Sequence, residues 1–382
     1  MKICLVTETF PPEVNGVAMT LFSLVRGLKE KGHEVQVVRP RQKSGEVSDS
    51  GLNIEQFSVV GVPIPGYSGL RIGLPCRSTL IRLWKKSRPD VIYIATEGPL
   101  GHSALRAARH MRLPMVSGFH TNFQQYMIHY NLGLLKDPAE LYLKDFHNRT
   151  LATFVPTEDT RSQLFEMGFR NLKLMGRGVD TRLFDPAHRD ESLRAEWGAE
   201  ADDPVVIYVG RVASEKNMPL FFRSLKSLME IEPRMKAVVV GDGPERRALQ
   251  EAHPEVVFAG MQKGEALARH YASADVFLFP STTETFGNVV TEALASGLVI
   301  VAFDYAAPRQ YIRSEINGFL APMRDEESFV AKARLAVAIS RYPTMKREAR
   351  ETAMKISWDV VMEGFERDLL EVLGVGQVSK ER

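Results

Sequence analysis

The sequence predicts two α/β domains in tandem, each a doubly wound parallel sheet, and three observations lead there. Short apolar runs of strand length alternate with helix-length amphipathic segments along most of the chain. The alternation breaks once, in a stretch rich in charge, glycine and proline around residues 179–202, and then restarts. A length of 382 residues also suits two hydrophobic cores better than one.

In the first half, "ICLV" (3–6) is a strand-like run that ends in the proline-rich loop "FPPEVNG". Val17, Leu21, Leu24, Val25 and Leu28 then recur at helical spacing, and Gly32 closes that helix. Further strands are predicted at "HEVQVVRP", "DVIYIATE", "MVSGFH" and "ATFVPTE", with helical segments between them. In the second half the strands are "PVVIYVGR" (204–211), "KAVVVGDG", "VVFAG", "DVFLFPS" and "VIVAF". The closing segment "ISWDVVMEGFERDLLEVL" reads as an amphipathic helix carrying Trp358, Val361, Phe365 and Leu369. The predicted domains are therefore 1–178 and 203–356, joined by 179–202, with a terminal segment at 357–382. No fixed-period repeat of the solenoid kind is present.

Composition excludes several classes. A chain that is 44% hydrophobic and 25% charged is neither disordered nor collagenous. The net charge of +2 is unevenly spread: residues 1–180 hold 23 Lys and Arg against 16 Asp and Glu, the rest 26 against 31. A basic first half suits an anionic partner. Without arginine–aromatic clusters or a zinc-finger pattern, nucleic acid is not the expected one. Cys4, in an apolar strand, reads as a buried thiol, and two cysteines make neither a metal site nor a disulfide framework. No secretory signal and no run of eighteen apolar residues is seen, so a cytoplasmic location is expected.

One segment suggests more. Residues 71–88 carry six basic side chains (71, 77, 82, 85, 86 and 88) and no acidic one. If "CRSTLIRLWKKS" is helical, Leu80, Ile81 and Trp84 share one side while Arg82, Lys85 and Lys86 lie towards the other. Such a helix can rest on an anionic membrane surface; an ordinary packed helix with a solvated basic rim is the competing reading.

The chemistry-bearing residues lie at strand ends, where doubly wound sheets bind ligands. Arg211 and Lys216 share the loop after "VVIYVG", and two fixed cations there suit a diphosphate. A solvated basic loop with an Arg211–Glu215 ion pair is the alternative. In "FPSTTETFGNVVTEALASG", Gly287 allows close backbone approach, and a helix starting near Asn288 aims its free N–H groups outward. Glu292 then falls on the second turn on the same side as Asn288 and can accept adjacent hydroxyls, as of a ribose, while Glu284 can reach a second polyol. Capping by Glu284 with an exposed Glu292 is the plainer alternative. His120 directly follows a strand, a position compatible with a structural or a catalytic role. Asn15-Gly16 opens the first helix, a weak signal by itself.

Taken together, "PPEVNGV", "FHTNF", "RGVDTRLF", "GRVASEKN", "VVVGDGPER" and "ETFGNVVTEALASGLVIVA" closely resemble the family 4 retaining glycosyltransferases of the GT-B fold, from the N-terminus to about residue 340. The resemblance implies two Rossmann-like domains facing a deep cleft, the final helix crossing back onto the first domain. It implies that Arg211 and Lys216 hold a donor diphosphate and that Glu292 binds the ribose. Glu284 and the backbone of Phe286, Gly287, Asn288 and Val289 would take the transferred sugar. His120 would lie beside the sugar, and the Gly16 backbone near the phosphates.

This chain departs from the family pattern in three places. Many members have Gly-Gly where Asn15-Gly16 stands, and proline where Leu298 stands. The family's Gly-Gly segment, with its carboxylate, is here Ala306-Ala307-Pro308-Arg309-Gln310-Tyr311-Ile312.

The implied reaction is hexose transfer from a nucleotide diphosphate with retention at the anomeric carbon. The overall look is nearest to bacterial GDP-mannose-dependent α-mannosyltransferases, with lipid, lipid-linked or glycan acceptors; UDP-glucose and UDP-galactose glycolipid synthases share the motifs. No Asp-x-Asp stands in a suitable loop, so no metal and no cofactor is expected. A sugar-nucleotide epimerase would lack the Glu-x7-Glu spacing, and a non-catalytic binder should have lost one of Glu284, Arg211 or Lys216. A nicotinamide dehydrogenase would need a Gly-x-Gly-x-x-Gly turn, which is absent.

Overall fold

A computed structural model describes residues 1–13, 15–41, 52–63, 71–120, 136–284, 286–341 and 343–374. The chain divides into two compact units, Met1–Arg177 with Asp359–Arg382, and Gly178–Trp358.

In the first unit seven parallel strands form one sheet: β1 (Lys2–Val6), β2 (Glu34–Pro40), β3 (Glu55–Val59), β6 (Val91–Ile94), β7 (Met115–Gly118), β8 (Thr153–Val155) and β9 (Leu172–Leu174). A two-stranded ribbon, β4 (Gly61–Pro63) and β5 (Arg71–Gly73), accompanies it. The spatial order is β3-β2-β1-β6-β7-β8-β9, so the winding reverses between β1 and β6. Side chains alternate across the sheet as the pleat demands. Ile3, Leu5 and Tyr93 face the helix Gly16–Glu30 and the terminal helix Trp358–Val372, through Leu24, Val25, Met362, Phe365 and Leu369. Cys4, Val6, Ile92 and Ile94 face the helices Arg77–Lys86 and Pro99–Met111, through Leu80, Trp84, Leu100 and Ala104. Burial pushes the Cys4 thiol up to about 12.

The second unit holds six parallel strands: β10 (Val205–Val209), β11 (Lys236–Val240), β12 (Val257–Gly260), β13 (Val276–Phe279), β14 (Val299–Phe303) and β15 (Phe319–Ala321). Their order is β12-β11-β10-β13-β14-β15, reversing between β10 and β13. The segment 179–202, read from the sequence as a connection, lies inside this unit. Arg194 in it is buried and donates to the carbonyls of Ser273 (2.8 Å) and Asp203 (2.7 Å) and to Asp275 Oδ2 (3.2 Å).

Both sheets are thus doubly wound, as the sequence predicts. The sequence reading lacked β3, β9 and β15 and the β4–β5 ribbon, most of them three-residue elements too short to carry a period. No helix among the described residues is long and apolar enough to cross a membrane.

Candidate active site

A doubly wound sheet binds ligands where its winding reverses, at the carboxyl ends of the two strands flanking that point. In the second unit these ends carry the loops 210–217 after β10 and 280–287 after β13, and the sequence-selected residues sit there. Glycines let the loop after β10 lie close against the end of the neighbouring β11. Gly210 and Gly241 have φ of 156° and 137°, and a Cβ on Gly241 would stand 1.9 Å from the Gly210 carbonyl oxygen. Lys216 Nζ reaches across to Glu284 Oε1 (2.5 Å) and the Thr283 carbonyl (3.3 Å), while the Thr283 hydroxyl donates to the Glu215 carbonyl (3.1 Å). The two loops are therefore tied in three places. Lys216 and Glu284 are mostly shielded, with side chains 18% and 15% exposed. Arg211 differs: its side chain is 65% exposed and its Nη1 pairs with Glu215 Oε1 at 3.2 Å. Its backbone carbonyl is fixed by the Tyr208 hydroxyl (2.9 Å).

The helix after the second loop runs Asn288–Ala295 and is entered through Gly287, whose φ of 94° favours glycine. Phe286 is buried in the core and its carbonyl accepts from the Ala307 N–H (2.9 Å), so this residue anchors the loop. Val289 is partly buried against the same core, and its carbonyl accepts from the Tyr271 hydroxyl (3.3 Å). Asn288 Oδ1 is buried without a hydrogen-bond partner among the described residues. Glu292 accepts from the Tyr271 hydroxyl (3.0 Å). Burial raises its carboxyl to about 7, with the Tyr271 hydrogen bond opposing. A side chain held in this way is not the exposed glutamate of the plainer alternative.

The segment 304–312, which includes the departure from the family pattern at 306–312, braces this site. The Tyr305 hydroxyl donates to the Glu284 carbonyl (2.9 Å). Ala306 sits at φ 53°, a left-handed conformation that a glycine adopts without strain. Arg309 folds back onto Asp304, from Nε to Oδ1 (3.1 Å) and from Nη2 to the carbonyl (2.8 Å).

In the first unit the flanking strands are β1 and β6, with β7 beside them. Asn15 caps the helix Gly16–Glu30 by accepting from Val17 N (3.1 Å) and Ala18 N (2.9 Å). Gly16 is exposed, and a Cβ on it would come no nearer than 3.6 Å to Arg177 Nη1, so the fold itself does not require a glycine there. His120 follows β7 and is buried, its Nε2 2.9 Å from the Tyr93 hydroxyl. Desolvation lowers its pKa to about 3, with the charges of Arg177 and His147 acting in the same direction. The imidazole is therefore neutral at any working pH.

Arg177 was not selected from the sequence, although it lies within a motif quoted above. It is buried beside Gly16 and acts on His120, and the one signal that could have found it is its place at the head of the quoted motif "RGVDTRLF". Among the described residues no group of three or more His, Cys, Asp or Glu side chains is placed to hold a metal ion.

Two doubly wound units with polar groups gathered at their switch points define a two-domain α/β ligand-binding architecture, and comparison with known proteins resolves its class. The model described as Glycosyltransferase Family 4 matches residues 14–183, and the one described as Glycosyl transferases group 1 matches 203–338. A GDP-mannose-dependent alpha-mannosyltransferase of Corynebacterium glutamicum is 31% identical over 99% of this chain and 90% of its own. An alpha-monoglucosyldiacylglycerol synthase of Streptococcus pneumoniae is 26% identical over 79% of this chain and 71% of its own. Among solved structures, Anabaena HepE in complex with UDP superposes with a TM-score of 0.79 at 18% identity, covering 97% of this chain and 100% of that one. The chain belongs to the family 4 glycosyltransferases, has the GT-B fold, and is a hexosyltransferase.

Proposed function

We propose that this enzyme transfers mannose from GDP-mannose, with retention, to a lipid, lipid-linked or glycan acceptor. The observation that carries the site assignment is the Lys216–Glu284 pair bridging the two loops at the switch point of the second sheet. The choice of donor rests on the 31% identity to a mannosyltransferase.

In this reading the β-phosphate lies against Lys216, Arg211 and the N-terminus of the helix Asn288–Ala295. When the bond from the anomeric carbon to the diphosphate oxygen breaks, the electron pair leaves with the diphosphate, and these groups stabilise the charge that develops there. Each charge-assisted contact contributes about 1.5–3 kcal/mol. Arg211 first exchanges Glu215 for phosphate, which costs little because the pair is exposed. Glu292 takes the ribose hydroxyls and Glu284 the hydroxyls of the sugar. Glu284, the carboxylate assigned to the sugar in this reading, is already held by Lys216, which favours attack by the acceptor hydroxyl on the face the diphosphate leaves, its proton passing to the departing phosphate oxygen. His120 acts on the sugar as a neutral hydrogen-bonding group. No metal takes part in this scheme.

The basic helix Arg77–Lys86 adds a place to work. Its apolar side, Leu80 and Trp84, is buried in the first unit's core, so only the basic side, with Arg82, Lys85 and Lys86 exposed, is open to an anionic membrane surface. Attraction would be electrostatic, about 1 kcal/mol per cation near the surface, and peripheral rather than inserted. A cytoplasmic enzyme visiting the inner face of the membrane fits this.

A second reading, a UDP-glucose- or UDP-galactose-dependent glycolipid synthase, is favoured by the likeness to the monoglucosyldiacylglycerol synthase. A panel of nucleotide sugars read by thermal shift separates the two. Stabilisation by GDP and GDP-mannose above UDP and UDP-glucose supports the first; the reverse order supports the second.

A further inference from the structure

We propose that a second ligand site, on the first unit, holds the anionic group of the acceptor, a phosphate or a carboxylate. A pocket of about 550 Å3 opens between the start of the helix Arg77–Lys86 and the helix Pro99–Met111, and Arg77, His102, Arg106 and Tyr142 line it. His102 and Arg106 are four residues apart, on one face of their helix. Arg77 and Arg106 are exposed, and among the described residues neither has an ion-pair partner. Two unneutralised guanidiniums facing one cavity repel each other, and a forked oxyanion relieves that repulsion with bidentate hydrogen bonds.

The arrangement is held before any ligand arrives. The Ser103 hydroxyl accepts from the Cys76 N–H (3.1 Å), the residue before Arg77, and donates to the Pro99 carbonyl (2.8 Å), so the ends of the two helices are joined. The Tyr142 ring lies 6.1 Å from that of His102, and its hydroxyl donates to the Glu97 carbonyl (2.7 Å). The helix terminus itself is already used: the Leu100 N–H donates to Glu8 Oε1 (3.1 Å). An anion must therefore be met by the side chains. Glu97, the one acidic residue among the described residues that line the pocket, has Oε1 turned to the buried His147 (Nε2, 3.1 Å), and its remaining oxygen suits a hydroxyl of the same ligand. The chemistry selected is a hydroxylated group bearing an oxyanion. Only the word acceptor rests on the function proposed above; the anion site stands on its own geometry.

The test titrates the full-length protein, with nucleoside diphosphate at saturation to occupy the donor site. One arm uses inorganic phosphate and sn-glycerol 3-phosphate; the other uses phosphatidylcholine vesicles with and without phosphatidic acid. R77Q/R106Q is compared with the wild type. Saturable binding weakened roughly tenfold or more in the variant is expected. Such a loss in the soluble arm assigns a free phosphorylated ligand, and a loss in the vesicle arm alone assigns a lipid head group. Binding equal in wild type and variant in both arms, or no saturable binding in either, overturns the proposal. Nucleoside diphosphate affinity is measured separately, and its absence from the wild type counts against the glycosyltransferase donor site rather than against this pocket.

Discussion

The Tyr93 hydroxyl stands 2.9 Å from His120 Nε2, and Gly118 makes that contact feasible. A Cβ on Gly118 would fall 2.3 Å from the Tyr93 hydroxyl and 2.4 Å from His120 Nε2. Behind Tyr93 the ring of Phe365, on the terminal helix, packs edge-on at 5.8 Å, so the orientation of His120 is set from the core outward.

Tyr93→Phe removes the partner of a buried ring nitrogen, a loss worth about 1–3 kcal/mol. The expected outcome is a fall in transfer rate of roughly tenfold, with nucleoside diphosphate affinity retained. His120→Ala should lower the rate further without unfolding the protein. Because His120 is neutral from about pH 3 upward, the wild-type pH–rate profile should carry no limb from it near the ordinary histidine range. A destabilised His120→Ala protein with normal activity per folded molecule would make His120 purely structural.

Lys216 and Arg211 should not weigh equally. Lys216→Ala strips a shielded carboxylate of its cation as well as removing a phosphate contact, and a loss of ten- to a hundredfold in turnover is expected. Arg211→Ala, from an exposed pair, should cost the same or less. Turnover and nucleotide affinity equal to wild type in both variants would remove the diphosphate from these loops.

Glu292 gives the donor site a pH dependence. Its carboxyl titrates at about 7, above its ordinary value of 4.5, and ribose hydroxyls donate best to the ionised form. Nucleoside diphosphate affinity should therefore rise as pH rises through about 7 and level off above it, beyond the ionisation of the phosphate itself. The stability contribution runs the other way. A raised folded-state pKa stabilises most below 4.5, and that contribution is lost as pH rises through about 7. Titrations of the wild type and Glu292→Gln by calorimetry check this: the variant should lack the rise.

Ala306 carries left-handed strain at φ 53°. Ala306→Gly relieves about 1–2 kcal/mol of strain and gives back part of it as unfolded-chain entropy. A net gain of roughly 0.5–1 kcal/mol is expected, read as a higher thermal midpoint. Gly287→Ala, at φ 94°, should move the midpoint down.

The sequence made the doubly wound units legible because their long central strands are apolar on both faces and end in loops with glycine or charge. β1, β10 and β14 were readable for that reason, whereas β9 and β15, three residues each, depend on pairing partners that no local pattern reveals. At the site, strand-end position and spacing picked out Arg211, Lys216, Glu284 and Glu292. Spacing could not reveal that Lys216 binds Glu284, or that Tyr271 bonds to Glu292, because those contacts join segments 68 and 21 residues apart. The polar segment 179–202 misled for a related reason: Arg194 looks solvated in sequence and is buried only because Ser273, Asp275 and Asp203 surround it.

The most direct measurement of the central claim is the turnover of GDP-mannose by purified protein with a lipid acceptor, in the presence of EDTA, with the product's anomeric configuration read by NMR. The account predicts consumption of GDP-mannose without added divalent metal, weaker or no use of UDP-glucose, and an α-linked mannosyl product. A β-linked product, or turnover abolished by EDTA and restored by magnesium or manganese, would contradict it.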